Sequence, residues 1–167
     1  GMAERTMTIN SFSKVYAMTG WRIGYVAASQ KSIAKMVKLQ MYLDACPTSF
    51  AQYAAAKALG DPRSRLATEA MRAEYAKRRD LIFKRLNANP FFKVCKPRGA
   101  FYIFPEIGCH DDHRFSEQLL EKAHVAVVPG SAFGHAGEGH VRMAYTVRPE
   151  KIEEAIDRLE RALPSIS

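Results

Sequence analysis

Three observations in the sequence predict an α/β chain built in two parts. Short β-rich runs alternate with helix-period runs along its length, one helical pattern runs without a break from residue 62 to about residue 87, and behind it strands and helices alternate again over roughly 100 residues. With 167 residues, 47% of them hydrophobic, the chain has enough apolar content for a real core, which excludes a disordered segment.

The elements follow in order. Met7-Thr8-Ile9 and Ile23-Gly24-Tyr25-Val26 read as short strands, separated by a loop with a Thr19-Gly20 turn. From Ser32, the spacing of Ile33, Val37 and Met41 predicts a helix; Pro47 interrupts it, and an alanine-rich helix over 50–59 ends at Gly60. Asp61-Pro62 then has the form of an N-cap followed by proline at the first helical position, opening the long helix with Met71, Tyr75, Ile82 and Leu86 on one stripe. A helix of that length is suited to joining two domains, placed at 1–65 and 66–167. Beyond it, GAFYIF at 99–104 reads as a strand, 115–123 as a helix, and 125–128 as a buried strand stopped by Pro129-Gly130. In GHVRMAYTV, strand alternation puts Val141, Met143, Tyr145 and Val147 on one side and His140, Arg142, Ala144 and Thr146 on the other. Pro149 opens a last helix whose apolar face is Ile152, Ile156, Leu159 and Leu163, and Pro164 ends it.

Several function classes are excluded or set aside. No apolar run approaches the roughly 20 residues of a membrane span and no signal-peptide pattern opens the chain, so a cytoplasmic protein without membrane contact is expected; Gly1 before Met2 has the look of a cleaved tag. The three cysteines, Cys46, Cys95 and Cys109, lack CxxC spacing and are expected to be buried thiols rather than disulfides or zinc ligands. Cys109-His110-Asp111-Asp112-His113 is expected to be a polar loop, not a metal site, because its potential ligands are adjacent in sequence. A net charge of +8 is spread from Arg5 to Arg161 rather than clustered, so no nucleic-acid partner is expected.

The chemistry gathers in SFSKVYAMTGWRIGYVAA, residues 11–28. A lysine in a strand-to-strand loop is ordinarily a solvated charge. Here Lys14 stands between Ser11, Ser13 and Arg22, whose hydroxyls and guanidinium suit one phosphate, the guanidinium as a bidentate fork. An amine beside a phosphate cradle suggests Schiff-base chemistry, and pyridoxal 5'-phosphate combines the required aldehyde and phosphate in one cofactor.

Ser11-Phe12-Ser13-Lys14 followed by Met18-Thr19-Gly20-Trp21-Arg22-Ile23-Gly24 closely resembles the pyridoxal-phosphate attachment signature of class I/II aminotransferases of the aspartate aminotransferase type. Pro97-Arg98-Gly99-Ala100-Phe101-Tyr102 resembles that family's PxGAFY strand, and Val128-Pro129-Gly130-Ser131-Ala132-Phe133-Gly134 its VPGxxFG loop. His140-Val141-Arg142-Met143-Ala144-Tyr145 is similar to the strand whose arginine binds the substrate's α-carboxylate. The resemblance implies that Lys14 carries the cofactor and shuttles a proton, that Ser11 and Arg22, with Ser13 as a weaker candidate, hold the phosphate, and that Arg142 anchors an amino acid or 2-oxo acid. It also implies a homodimer with the site near the subunit interface. Tyr102 is a candidate for lining the pocket, whereas Phe133 is expected in the core.

Such aminotransferases are roughly twice this length by resemblance, so the chain corresponds to their carboxyl-terminal part. Residues 1–65 would be the end of the cofactor-binding large domain and 66–167 a small α+β domain, with little activity in isolation because the acidic partner of the pyridine nitrogen is absent. Pyridoxal-phosphate carbon–sulfur lyases, aminocyclopropane-carboxylate synthases and a catalytically silent assembly fragment are the alternatives.

Overall fold

The computed structural model describes residues 1–166. The chain divides into two compact units, Gly1–Met71 and the residues from Arg72 onward. Among the described residues no helix is long and apolar enough to cross a membrane.

In the first unit, β1 (Thr8–Ser11) pairs antiparallel with β2 (Gly24–Ala27), with Ser11 opposite Gly24 and Thr8 opposite Ala27. A β-carbon on Gly24 would stand 2.7 Å from the Asn10 carbonyl oxygen, so the close approach of the two strands requires glycine there. Between them lies the one-turn helix α1 (Phe12–Val15), capped by the Ser11 hydroxyl, which accepts a hydrogen bond from the Ser13 amide. Helix α2 (Gln30–Asp44) starts at Ser29, whose hydroxyl accepts from the Ser32 amide, and α3 (Ser49–Gly60) follows Pro47. The unit's core is Phe12, Met18, Ile23, Ala51 and Ala55. The stripe expected to bury α2 does not do so. Ile33 is half-buried, but Val37 and Met41 are exposed, because no described element covers that face.

Helix α4 (Pro62–Asn87) runs through the division at Met71. Its start is as the sequence indicates. Asp61 accepts from the Arg63 amide at 2.9 Å and ion-pairs with the Arg63 guanidinium at 2.6 Å, which holds its carboxyl well below the usual carboxylate range.

The second unit is built on two small antiparallel sheets. β3 (Phe92–Lys93) pairs with β5 (Glu106–Ile107), and β7 (Val141–Ala144) lies between β4 (Tyr102–Ile103) and β6 (Val128–Pro129). The strands are shorter than the sequence predicts: of GAFYIF only Tyr102 and Ile103 pair as a strand, and of 125–128 only Val128. Helix α5 (Asp112–Ala123) begins three residues earlier than expected, capped by Asp111, and ends on His124 in a left-handed conformation at φ 53°. Helix α6 (Pro149–Ala162) has proline in its first turn and buries Ile152, Ile156 and Leu159. These side chains pack with Ile82, Leu86, Phe92, Ile103, Phe115, Leu119, Val141, Met143 and Tyr145. Burial of each large side chain contributes about 1.5–3 kcal/mol, so this cluster carries the unit.

Two expectations fail here. Cys46 and Cys95 are exposed and Cys109 is half-buried, so none of the thiols is a core residue; Cys46 lies between helices and Cys95 just after a two-residue strand, where little packs around them. The Cys109–His113 stretch is not wholly a polar loop either, since Asp112 opens α5 and is buried.

Candidate active site

The pairing of Ser11 with Gly24 closes the loop between β1 and β2, and hydrogen bonds across it fix its path. The Phe12 amide donates to the Ile23 carbonyl at 3.2 Å, the Met18 amide to the Phe12 carbonyl at 3.3 Å, and the Thr19 hydroxyl to the Ser13 carbonyl at 2.9 Å. Buried Phe12 and Met18 hold the loop to α3 through Ala51 and Ala55. Lys14 is the third residue of α1 and is exposed.

Arg22 has a left-handed backbone, φ 50° and ψ 51°, and its Nη1 donates to the Thr19 carbonyl at 3.0 Å. A non-glycine residue in this region costs about 1–2 kcal/mol, which the braced loop sustains. No acidic side chain among the described residues pairs with Arg22. The Ser11 hydroxyl accepts one amide and keeps its own proton for another acceptor, and the Ser13 hydroxyl has no hydrogen-bond partner among the described residues. One closed loop thus carries two hydroxyl donors and a guanidinium that has spent one N–H on the Thr19 carbonyl and keeps the others, groups of the kind that suit a phosphate.

In the second unit, the alternation along β7 is as the sequence predicts for Val141 and Met143, which face the core, and for half-buried Arg142, which faces away. The Arg142 guanidinium carbon lies over the Tyr102 ring at 4.5 Å from its centroid and over the Phe133 ring at 4.7 Å. Tyr102 is on β4 and Phe133 ends the turn after β6, so the rings come from segments on either side of β7. Such stacking satisfies the faces of the guanidinium and leaves its edge, where the N–H groups point, for a planar acceptor. Among the described residues no carboxylate pairs with Arg142.

Phe133, expected in the core, is 52% exposed and serves as one wall of this clamp; Phe104 meets its ring edge-on at 6.0 Å. The turn that carries Phe133 is held by Asp112, for which the sequence alone indicates only a polar loop. Both oxygens of Asp112 accept from Ser131, Oδ2 from the amide and Oδ1 from the hydroxyl, each at 2.8 Å. The usable signal would have been an acid in the first turn of an amphipathic helix, which is a place for a cap or a clamp as well as for solvent.

Each unit therefore presents an arginine with no carboxylate partner among the described residues. Ser11, Ser13, Lys14 and Arg22 lie along the one loop that the β1–β2 pairing closes, and Arg142 stands apart from them on β7, its guanidinium against two rings.

The family model described as aminotransferase class I and II matches residues 1–159. The chain belongs to that family. It is 59% identical over 165 residues to an aspartate aminotransferase from Pyrococcus abyssi, a match spanning 98% of this chain and 42% of that protein. It is 56% identical, over the same shares, to an aromatic-amino-acid aminotransferase 2 from Thermococcus litoralis. Among solved structures, an aromatic aminotransferase from Pyrococcus horikoshii OT3 superposes with a TM-score of 0.93 at 57% identity, over 99% of this chain and 44% of that one. The chain thus spans about 42% of the length of the curated relatives it matches. Aminotransferases of this kind generally use pyridoxal phosphate and act on amino and 2-oxo acids.

Proposed function

We propose that this chain is the carboxyl-terminal part of a pyridoxal-phosphate-dependent aminotransferase that moves an amino group between an L-amino acid and a 2-oxo acid. The first unit would be the end of its cofactor-binding domain and the second its small domain. The observation that carries the reading is the closed Ser11–Gly24 loop, which sets Lys14 on a helical turn capped by Ser11 and presents Arg22 with no acidic partner among the described residues.

When bound, the cofactor supplies an aldehyde that combines with amines and a ring that takes up the electron pair left at an amino acid's Cα. Ser11 and Arg22 would bind its phosphate, with Ser13 as a further donor. Lys14 Nζ would be the amine that holds the cofactor's aldehyde and would serve as the base for the proton at the substrate's Cα. Arg142 would hold the substrate's α-carboxylate through the edge of its guanidinium, while Tyr102 and Phe133 limit its motion and keep water from its faces. That contact does not depend on the substrate's side chain, which suits relatives named for aspartate and for aromatic amino acids alike. As in the family at large, the complete enzyme is proposed to act as a homodimer.

The test is to incubate the chain with pyridoxal phosphate, reduce with borohydride and map the modified peptide. The reading expects one dominant adduct on Lys14, lost in Lys14→Ala and weakened in Arg22→Ala. Labelling spread over the exposed lysines, indifferent to Arg22, would count against it.

A further inference from the structure

The clamp around Arg142 has a support that touches no ligand. Asp112, 4% exposed, lies in the first turn of α5 and spends both carboxylate oxygens on Ser131. Burying a carboxylate away from water is costly unless strong hydrogen bonds replace hydration, and here two donors from a single residue do so. Ser131 is the second residue of a 3-10 turn, Gly130–Phe133, and Phe133 is its last.

The same turn is anchored at its start. The Gly130 amide donates to the His140 carbonyl at 2.8 Å, two residues before Arg142. Gly130 and Gly137 approach so closely that a β-carbon on Gly130 would stand 2.1 Å from the Gly137 carbonyl oxygen. Fixed at Gly130 by its neighbours and at Ser131 by Asp112, the turn has little freedom left by the time the chain reaches Phe133.

We infer that Asp112 is a positioning residue for the carboxylate-binding arginine: through Ser131 it sets the turn that lays Phe133 on the Arg142 guanidinium, so the fork is oriented before a carboxylate arrives. The inference rests on the reading of Arg142 as the carboxylate anchor. An arginine side chain carries considerable rotamer freedom, and binding is weaker when that freedom is lost only on ligation. Release of Ser131 would free the turn, let Phe133 swing from the guanidinium and return that cost to the binding step. No group in contact with the carboxylate would have been removed.

The experiment is an NMR titration of the full chain with pyruvate, following the Arg142 Nε–Hε resonance, in the parent protein and in Asp112→Asn, Ser131→Ala and Phe133→Leu. Ring stacking shifts this resonance before any ligand is added, which gives a signature that general stability does not. The expected result is pyruvate binding at Arg142 in the parent. Asp112→Asn and Ser131→Ala should relax the ring-shifted signal and weaken binding about five-fold, the equivalent of one hydrogen bond. Asp112→Asn should add nothing further in a Phe133→Leu background, since both act through the same ring. Ser131→Thr, which keeps the hydroxyl and the amide, should bind as the parent does.

Variants that melt earlier yet keep both the signal and the affinity would overturn the inference and leave Asp112 as a fold-stabilising residue only. A ring-shifted parent signal that pyruvate does not move would overturn the reading of Arg142, and the inference with it, an outcome distinct because it appears before any substitution. If Asp112→Asn fails to fold, Ser131→Ala and Ser131→Thr decide the matter alone.

Discussion

Gly130 and Gly137 face each other across the turn after β6 with no room for a side chain on either: an added β-carbon would stand 2.1 Å from the Gly137 oxygen in one case and 2.0 Å from the Gly130 oxygen in the other. Both obstacles are backbone atoms, which cannot rotate aside as a side chain would. Gly137→Ala is therefore expected to destabilise the second unit by about 2–3 kcal/mol. Denaturant unfolding would show it as a lower midpoint. Gly99→Ala, where nothing lies within 4 Å, is the control expected to change little.

A second contact between elements is electrostatic. Arg85 on α4 reaches three acids of α6: Glu153, Asp157 at 2.7 Å and Glu160 at 3.1 Å. Asp157 foremost, with the other two, raises the Arg85 pKa above its ordinary value. Each carboxylate is partly solvated, so no single pair is worth more than about 1 kcal/mol. Removal of Arg85 leaves three like charges on neighbouring turns of one helix, however, and Arg85→Met is expected to cost about 1–2 kcal/mol at low salt. The loss should shrink in high salt, where exposed charges are screened. A loss that salt does not change would mean that Arg85 acts through its aliphatic stem instead.

Asp112 predicts a pH dependence. Burial pushes its carboxyl up, but the hydroxyl and amide of Ser131, with the nearby His113, outweigh burial and hold it below its ordinary value. A carboxyl with a folded pKa below its unfolded one, about 3.9, stabilises the fold fully above that value and loses the contribution as pH falls through the folded pKa. The stability gap between the parent and Asp112→Asn should therefore be constant near neutrality and close below about pH 4. A gap that persists in strong acid would show that the charge is not what Ser131 requires.

The sequence makes the candidate loop and its closure legible because their signal is local. Ser11, Ser13, Lys14 and Arg22 fall within twelve residues, and the β1–β2 pairing that closes them needs only Gly24 opposite Ser11. Arg142 is legible for a related reason, since strand alternation alone turns it away from Val141 and Met143. Its clamp is not. Phe133 lies nine residues before Arg142 and Asp112 nineteen before Ser131, so their partnership arises from tertiary folding that no period in the sequence records. An aromatic residue is expected inside and an acid outside, and both expectations fail where a cation and two hydrogen-bond donors change the balance. The α2 stripe misleads in the opposite sense: helical spacing marks a face able to bury itself, and no described element covers it.

Arg22 allows backbone and side-chain effects to be separated at the proposed phosphate site. Its left-handed conformation, φ 50°, is unfavourable for arginine and for alanine but open to glycine. Arg22→Ala and Arg22→Gly both remove the guanidinium, and with it the bond from Nη1 to the Thr19 carbonyl. Only the glycine variant also relieves the backbone. The two are expected to lose affinity for inorganic phosphate alike, while Arg22→Gly is the more stable by about 1 kcal/mol in thermal or denaturant unfolding. That combination would mean the loop carries strain in order to aim a cation, a stability cost set against binding. If the glycine variant binds phosphate as well as the parent, the anion is held by Ser11, Ser13 and the loop backbone, and Arg22 has no part in it.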